Sequence, residues 1–350
     1  MRKLLLSLCV LVVVGAAAVA AWHYRLYLFT HLPSTPESEL TNREGRIVDS
    51  TGKPFSGRKR HNDDEGFSIY SYKDGNLDGL DVVFTDGRFR EIGHWENGKQ
   101  NGLFEAYTET GILIDHANFK DGERDGETLQ YWYDTGKLKV KAVYAAGRIN
   151  GLVEQYWPGG GIQLRHNYVD GVRHGECLDY YEGGQLKSSV TFDHGAQTGP
   201  YKLCFEDGTP QEEGFLKEGA RNGSFTLYFP NTGKPAVQGT YRMNRYEGEI
   251  TTWRPDGMKV VQTYRQGTAD GRQKSYDPAG RLIGEMMVKN GVADGPFKAY
   301  DSRGNVIREG VNKGNAVRES RDSASPQPEG ADAPTPDPSA EEDISIEEVP

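Results

Sequence analysis

One phrase recurs along this chain and limits what it can fold into. It reads Asp-Gly-Asn-Leu-Asp-Gly at 74–79, Asn-Gly-Lys-Gln-Asn-Gly at 97–102 and Asp-Gly-Glu-Arg-Asp-Gly at 121–126. With the second glycine of each copy as an anchor, the series is Gly57, Gly79, Gly102, Gly126, Gly151, Gly175, Gly199, Gly223, Gly248, Gly271 and Gly295, in steps of 22 to 25 residues. A further glycine follows each anchor by 8 to 10 residues, as at Gly111, Gly160 and Gly280. A fixed period of this length marks a repeat architecture in which each copy is one supersecondary unit.

Each copy thus holds two turns, joined by runs too short for helices. Leu152–Trp157 and Gln185–Phe192 are examples, and such runs are rich in Tyr, Phe, Val and Thr. They read as strands. Glycine supplies the positive φ that closes a tight hairpin. Asn244 stands where a glycine is expected, and asparagine is the next most tolerant residue of left-handed φ. Gly79, Gly102, Gly126, Gly151, Gly175, Gly199, Gly223, Gly248, Gly271 and Gly295 are read as structural turn glycines. The expected fold is all-β: an elongated, single-layer antiparallel β-meander of about 22 short strands over residues 45–317. The 44 glycines do not suggest collagen or a flexible linker, because 19 Tyr, 13 Phe and 5 Trp accompany them.

Two aromatic columns run through the copies. Five residues after the anchors stand Tyr107, Tyr131, Tyr156, Tyr180, Tyr228, Trp253, Tyr276 and Tyr300, with Phe84 before them and Asn62 and Cys204 as the exceptions. The second column is Tyr72, Trp95, Phe119, Tyr144, Tyr168, Phe192, Leu216, Tyr241, Tyr264, Val288 and Val311. The two columns are expected to stack as ladders of neighbouring rings and to replace a conventional core. The first column is also the candidate binding surface.

Residues from about Gly45 to Gly314 resemble a tandem array of MORN-type repeats, in the variant found in bacterial proteins labelled YwqK-family antitoxins. Asp170 to Leu186, with Asp-Gly-x-x-x-Gly, then Tyr, then x-x-Gly-x-Leu, carries the likeness, as does Gly52-Lys53-Pro54-Phe55-Ser56-Gly57. The resemblance implies an elongated sheet with interaction, scaffolding or lipid-contact roles.

Arg2 and Lys3 precede an uncharged run, Leu4 to Ala21, followed by Trp22, Tyr24, Arg25 and Tyr27. Residues 1–29 read as a signal peptide, with Ala18-Val19-Ala20 as its cleavage site, or as an uncleaved signal anchor. Both readings put the body outside the cytoplasm of a bacterial cell, as a periplasmic domain anchored through residues 4–21 or as a secreted protein. Residues 30–44, with Pro33 and Pro36, read as a linker. Residues 318–350 have six prolines and no aromatic, and read as a disordered acidic tail. The chain's net charge is -10, most of it in this tail, so the body is nearly neutral and lacks the basic footprint of a nucleic-acid binder.

A search for chemistry yields no catalytic residue, no metal site and no cofactor. Gly52 to Lys59 approaches a phosphate-binding loop but lacks the Lys-Ser/Thr pair and falls in the repeat phase. His94, His116 and His166 are expected to face solvent on second strands of different copies, at unlike phases, which does not make a zinc site. Cys177 and Cys204 are expected to be partly buried thiols with no disulfide between them, since an intervening strand holds them about 9.5 Å apart. The functional expectation is a non-enzymatic envelope scaffold that binds another protein. Lipid or glycan binding by the aromatic stripes, and a toxin-neutralising role, are the alternatives.

Overall fold

The computed structural model describes Leu26, residues 28–314 and residues 316–321. The chain divides into two compact units, Met1–Gly184 and Gln185–Pro350. The signal or anchor reading and nearly all of the acidic tail fall outside the described residues. No helix among the described residues is long and apolar enough to cross a membrane.

Both units are all-β, and in each the strands pair antiparallel with their sequence neighbours. In the first, Leu113–Lys120 pairs with Glu123–Tyr131, which pairs with Leu138–Ala145. In the second, Lys259–Arg265, Thr268–Tyr276, Leu282–Lys289 and Val292–Tyr300 follow in the same way. Several strands are interrupted by one residue, as between Arg148–Ile149 and Gly151–Tyr156 or between Ala220–Arg221 and Gly223–Tyr228. The ladder is not broken there, because the Asn150 and Asn222 N–H groups still donate at 2.8 Å to the Val143 and Phe215 carbonyls. Counting each interrupted strand once brings the meander close to the expected number.

At one end the hairpins from Asp74–Gly75 to Asn290–Gly291 close in two-residue turns with both residues at positive φ, the geometry that matches strand twist. Asp121 and Gly122 are at +53° and +90°, and Met243 and Asn244 at +48° and +63°, so Asn244 does stand in for a glycine. Successive turns are bonded to one another. The N–H of Gly122 donates to the Gln100 carbonyl, that of Gly147 to Arg124, that of Gly171 to Ile149, and that of Gly267 to Tyr246. At the other end a carboxylate organises several of the loops. Asp277 accepts the N–H groups of Ala279 and Arg281, both at 2.9 Å, while Gly280 at +81° closes the turn.

The anchor glycines are not turn residues, which corrects the sequence reading. Ala117 pairs with Thr128 and Phe119 with Arg124, so residues 125–127, centred on Gly126, oppose Asn118 alone. Gly199 opposes Thr191, Gly271 opposes Thr263 and Gly295 opposes Met287 in the same manner. These are bulges, which need glycine both for φ and for close approach. A Cβ on Gly295, at φ +125°, would lie 2.8 Å from the Met287 Cβ. At several bulges a polar opposing side chain bonds the carbonyl just beyond the glycine. Ser71 donates to Leu80, Asn167 to Glu176 and Thr191 to Pro200.

The segment read as a linker is partly paired. Thr35–Pro36 runs parallel to Lys59–Arg60, and Thr41–Arg43 pairs with Arg46–Val48. Arg58 donates to the Phe29 and Pro33 carbonyls, and Glu37 is bonded to Lys59 and His61. Leu26 packs on Ile69, Val82 and Ile92, all essentially buried, with Phe29 alongside. This segment covers the edge strand Gly57–Asn62, whose unpaired groups would otherwise be open to another chain.

Candidate interaction surface

Successive strand residues point to opposite faces. Gly126 pairs with Tyr144, so Tyr144 shares a face with Thr128 and Gln130, while Tyr131 points to the other. The two aromatic columns therefore lie on opposite faces.

On the first face each ring has an aliphatic or basic neighbour directly across. Tyr107 pairs with Leu113, Tyr131 with Leu138, Tyr156 with Ile162, Tyr276 with Leu282 and Tyr300 with Val306. Trp253 pairs with Lys259, whose ammonium lies 4.5 Å from the Tyr276 ring centroid. Tyr228 stands opposite Pro235, and Tyr180 is half-buried at the end of Val172–Tyr180. Several hydroxyls donate to carboxylates: Tyr107 to Glu105 at 2.8 Å, Tyr156 to Glu154 at 3.0 Å, Tyr228 to Glu213 at 3.0 Å and Tyr300 to Glu285 at 2.8 Å. Those acids also hold His116, Arg165 and Lys202. The Lys202 ammonium, bonded to Glu213, keeps that carboxyl below its usual range. Burial, then the Glu105 carboxylate, pushes the Tyr107 hydroxyl up. Three members of the column, Tyr107, Tyr156 and Tyr228, thus share a carboxylate with a basic side chain.

In the first copies the buried positions Ile69, Val82 and Ile92 lie on the first column's face with Tyr107 against them, whereas further along the second face carries the buried positions. Val140, Ala142, Val153 and Leu164 form a cluster in the first unit with Tyr144, Ile149 and Tyr168 against it. Two charged groups sit on this face at the same phase. Arg124 donates to Asp115 at 2.7 Å and lies over the Phe119 and Tyr144 rings. In the second unit Arg221 donates through Nε to Glu212 Oε1 at 2.7 Å and through Nη2 to Oε2 at 3.1 Å. Tyr201 donates to the same carboxylate. The hydrogen bond to Glu212 holds the Arg221 guanidinium protonated, and burial followed by the Glu212 charge drives the Tyr201 hydroxyl upward. Rings adjoin this pair: Phe225 is 4.0 Å from Tyr241 and 5.5 Å from Tyr246, and Tyr246 is 5.3 Å from Tyr264 edge-on. Glu212 is nearly covered, whereas the Arg221 side chain is 41% exposed.

Among the residues singled out by sequence, Tyr241 and Tyr264 join this cluster, and the first column does not. Glu212, Arg221, Tyr201, Phe225 and Tyr246 were missed. The available signal was the joint recurrence of an acid eleven residues before an anchor and an arginine two before it, at Asp115 with Arg124 and at Glu212 with Arg221. The expectation of solvent-facing histidines fails at His166, which is 1% exposed and 2.9 Å from Asp179. It fails again at His94, which sits at a bulge with Nδ1 3.1 Å from the Leu103 carbonyl. Val311 also leaves its column. Lys313 pairs with Ala316, which shifts the phase by one, so Asn312 is buried at 9% exposure and Val311 is 43% exposed. Cys177 and Cys204 are fully buried thiols rather than partly buried ones, and burial raises both.

These features define an all-β repeat protein, a class that is not a typical enzyme fold. The family described as MORN repeat variant matches residues 173–194 and 269–290, one copy of its repeat in each, which supports the repeat reading of the chain. Such repeats are generally protein or membrane interaction modules. No curated protein matches. A solved structure of TcdB2-TccC3-TEV is 10% identical over 82% of this chain and 17% of that one, with a TM-score of 0.18. One of TcdB2-TccC3-Cdc42 is 12% identical over 83% and 17%, with a TM-score of 0.20. The designed Ika8 protein is 12% identical over 76% and 93%, at 0.16. The chain spans about a sixth of the length of the first two.

Proposed function

We propose that this protein is a non-enzymatic scaffold of the cell envelope whose second unit binds another protein through the face bearing Arg221, Tyr241, Tyr246 and Tyr264. The observation that supports this reading is the cluster itself. Tyrosine and arginine are the residues most enriched at interface hot spots, and here they are held rigid by the Glu212 carboxylate and by ring packing, so little ordering entropy remains to be lost on binding. The competing reading, capture of lipid by the first column, is disfavoured because ion pairs such as Arg165 with Glu154 and Lys202 with Glu213 interrupt the rings and leave no continuous apolar stripe.

The test is crosslinking in the native cells, followed by mass spectrometry, with the intact chain and with Tyr241→Ser/Tyr264→Ser. One abundant protein partner, captured by the intact chain and lost from the variant, is expected. An undiminished capture by the variant, or capture of lipid or glycan alone, overturns the reading. A captured toxin would identify the scaffold's partner and its neutralising role together.

A further inference from the structure

The row of hairpin turns in the second unit carries an arginine cluster that neither aromatic face uses. A cavity of about 650 Å³ opens there, lined by Arg242, Arg245 and Arg265 together with Glu247, Asp270 and Gln266. Arg242 and Arg245 face each other directly across the Met243–Asn244 turn, and Arg265 begins the next turn along. All three are exposed. Glu247 is already engaged, accepting the Gln266 N–H at 3.0 Å. Three guanidinium groups thus share two carboxylates, and Lys289 and Lys313 extend the positive row at the same phase in the following turns.

The turns themselves accentuate this. Asp, Asn and Gly suit a turn with positive φ at both central residues, and the first unit uses Asp74, Asn97, Asp121 and Asp170 there. Beside the three arginines the chain places Met243 and Gln266 at the first central position instead, at +48° and +51°. Local conformational preference is given up where an aspartate would have neutralised the cluster.

We propose that the acidic carboxyl-terminal segment of this same chain, residues 322–350, docks on the cavity of Arg242, Arg245 and Arg265. That segment holds Asp322, Glu329, Asp332, Asp337, Glu341–Asp343 and Glu347–Glu348, and no base. It continues from the last strand of the same unit, Ala316–Arg321. Four strands separate that strand's turn from the Arg265 turn, about 19 Å at strand spacing, and the strand itself adds about 20 Å. A segment of this length reaches up to about 95 Å when extended. Exposed ion pairs are individually weak, but a tethered partner is present at an effective concentration of order mM, which favours this occupant over a free anion.

The test uses the full chain with Ile344→p-benzoylphenylalanine, irradiated at low salt and at about 0.5 M salt, where exposed charges are screened, with crosslinks mapped by mass spectrometry. Crosslinks within one copy to the peptides containing residues 242–268 are expected. They should be lost at high salt and in Arg242→Gln/Arg245→Gln/Arg265→Gln. Glu341→Gln/Glu342→Gln/Asp343→Asn leaves the sheet untouched and should reduce them equally, which keeps the test valid if the arginine variant folds poorly. Crosslinks to the first unit, to a second copy or to added anionic vesicles in place of these peptides overturn the proposal, as does a yield that neither set of substitutions changes.

Discussion

Arg221 reaches along its sheet face to grip Glu212 through two nitrogens, while Tyr201 bonds the same carboxylate from the adjoining strand. Removing one member of a covered charge pair leaves the other without compensation, and that costs more than the pair contributes relative to apolar residues of the same size. Glu212→Gln is therefore expected to destabilise the second unit by about 2 kcal/mol, below the 3 to 5 typical of fully buried pairs because Arg221 remains partly hydrated. Glu212→Leu/Arg221→Met should recover most of the loss. Hydrogen exchange of the amides in 201–228 is the readout, and equal protection in all three chains would show that the pair carries no stability.

The bulge glycines separate conformational strain from crowding. Gly295→Ala must place a methyl against the Met287 Cβ, whereas Gly248, at +78°, has nothing within 4 Å of the added carbon. Both pay for positive φ, of order 1 kcal/mol, so Gly295→Ala should lower the melting temperature further than Gly248→Ala. The reverse order would contradict the bulge geometry.

Gln266 occupies a left-handed conformation for which asparagine is better suited. Gln266→Asn should raise stability by a few tenths of a kcal/mol, the scale of turn and propensity effects. Thermal unfolding measures it, and a loss would mean that the Gln266 side chain contributes more than its backbone does.

The edge cover responds to acid with a definite sign. Glu37 is held below its ordinary value of 4.5 by its bonds to Lys59 and then His61. Its folded form binds its proton less readily than the unfolded one, so its stabilisation is complete above 4.5 and is lost as pH falls through the lowered value. Amides of Gly57–Asn62 should lose protection in that range before those of Leu138–Ala145, and Glu37→Gln should abolish the difference. Simultaneous loss at both sites in the native chain would refute the coupling.

The period, the strands and the hairpin turns were legible in sequence because glycine phase and β-propensity are local properties. The roles of the glycines were not. A bulge and a turn both call for positive φ, and only the pairing of Ala117 with Thr128 and Phe119 with Arg124 separates them. The aromatic columns were found, but their placement on opposite faces, with Tyr131 on one and Tyr144 on the other, follows only from the pairing register. The charged cluster escaped because Glu212 and Arg221 are joined diagonally across a face, and their nine-residue spacing at this phase recurs at only one other copy, Asp115 with Arg124. Pro33 and Pro36 suggested a linker, yet neither prevents Glu37 from reaching Lys59.

The hydrogen bonds between successive turns bear on how such a gene can change length. Each turn receives a carbonyl from the copy before it and offers one to the copy after, at a constant phase, as Gly122 with Gln100 and Gly147 with Arg124 do. Unequal recombination that duplicates or deletes one whole copy rejoins a donor to an equivalent acceptor. A break of any other length strands both, so variants of this protein within a population should differ by whole multiples of its period.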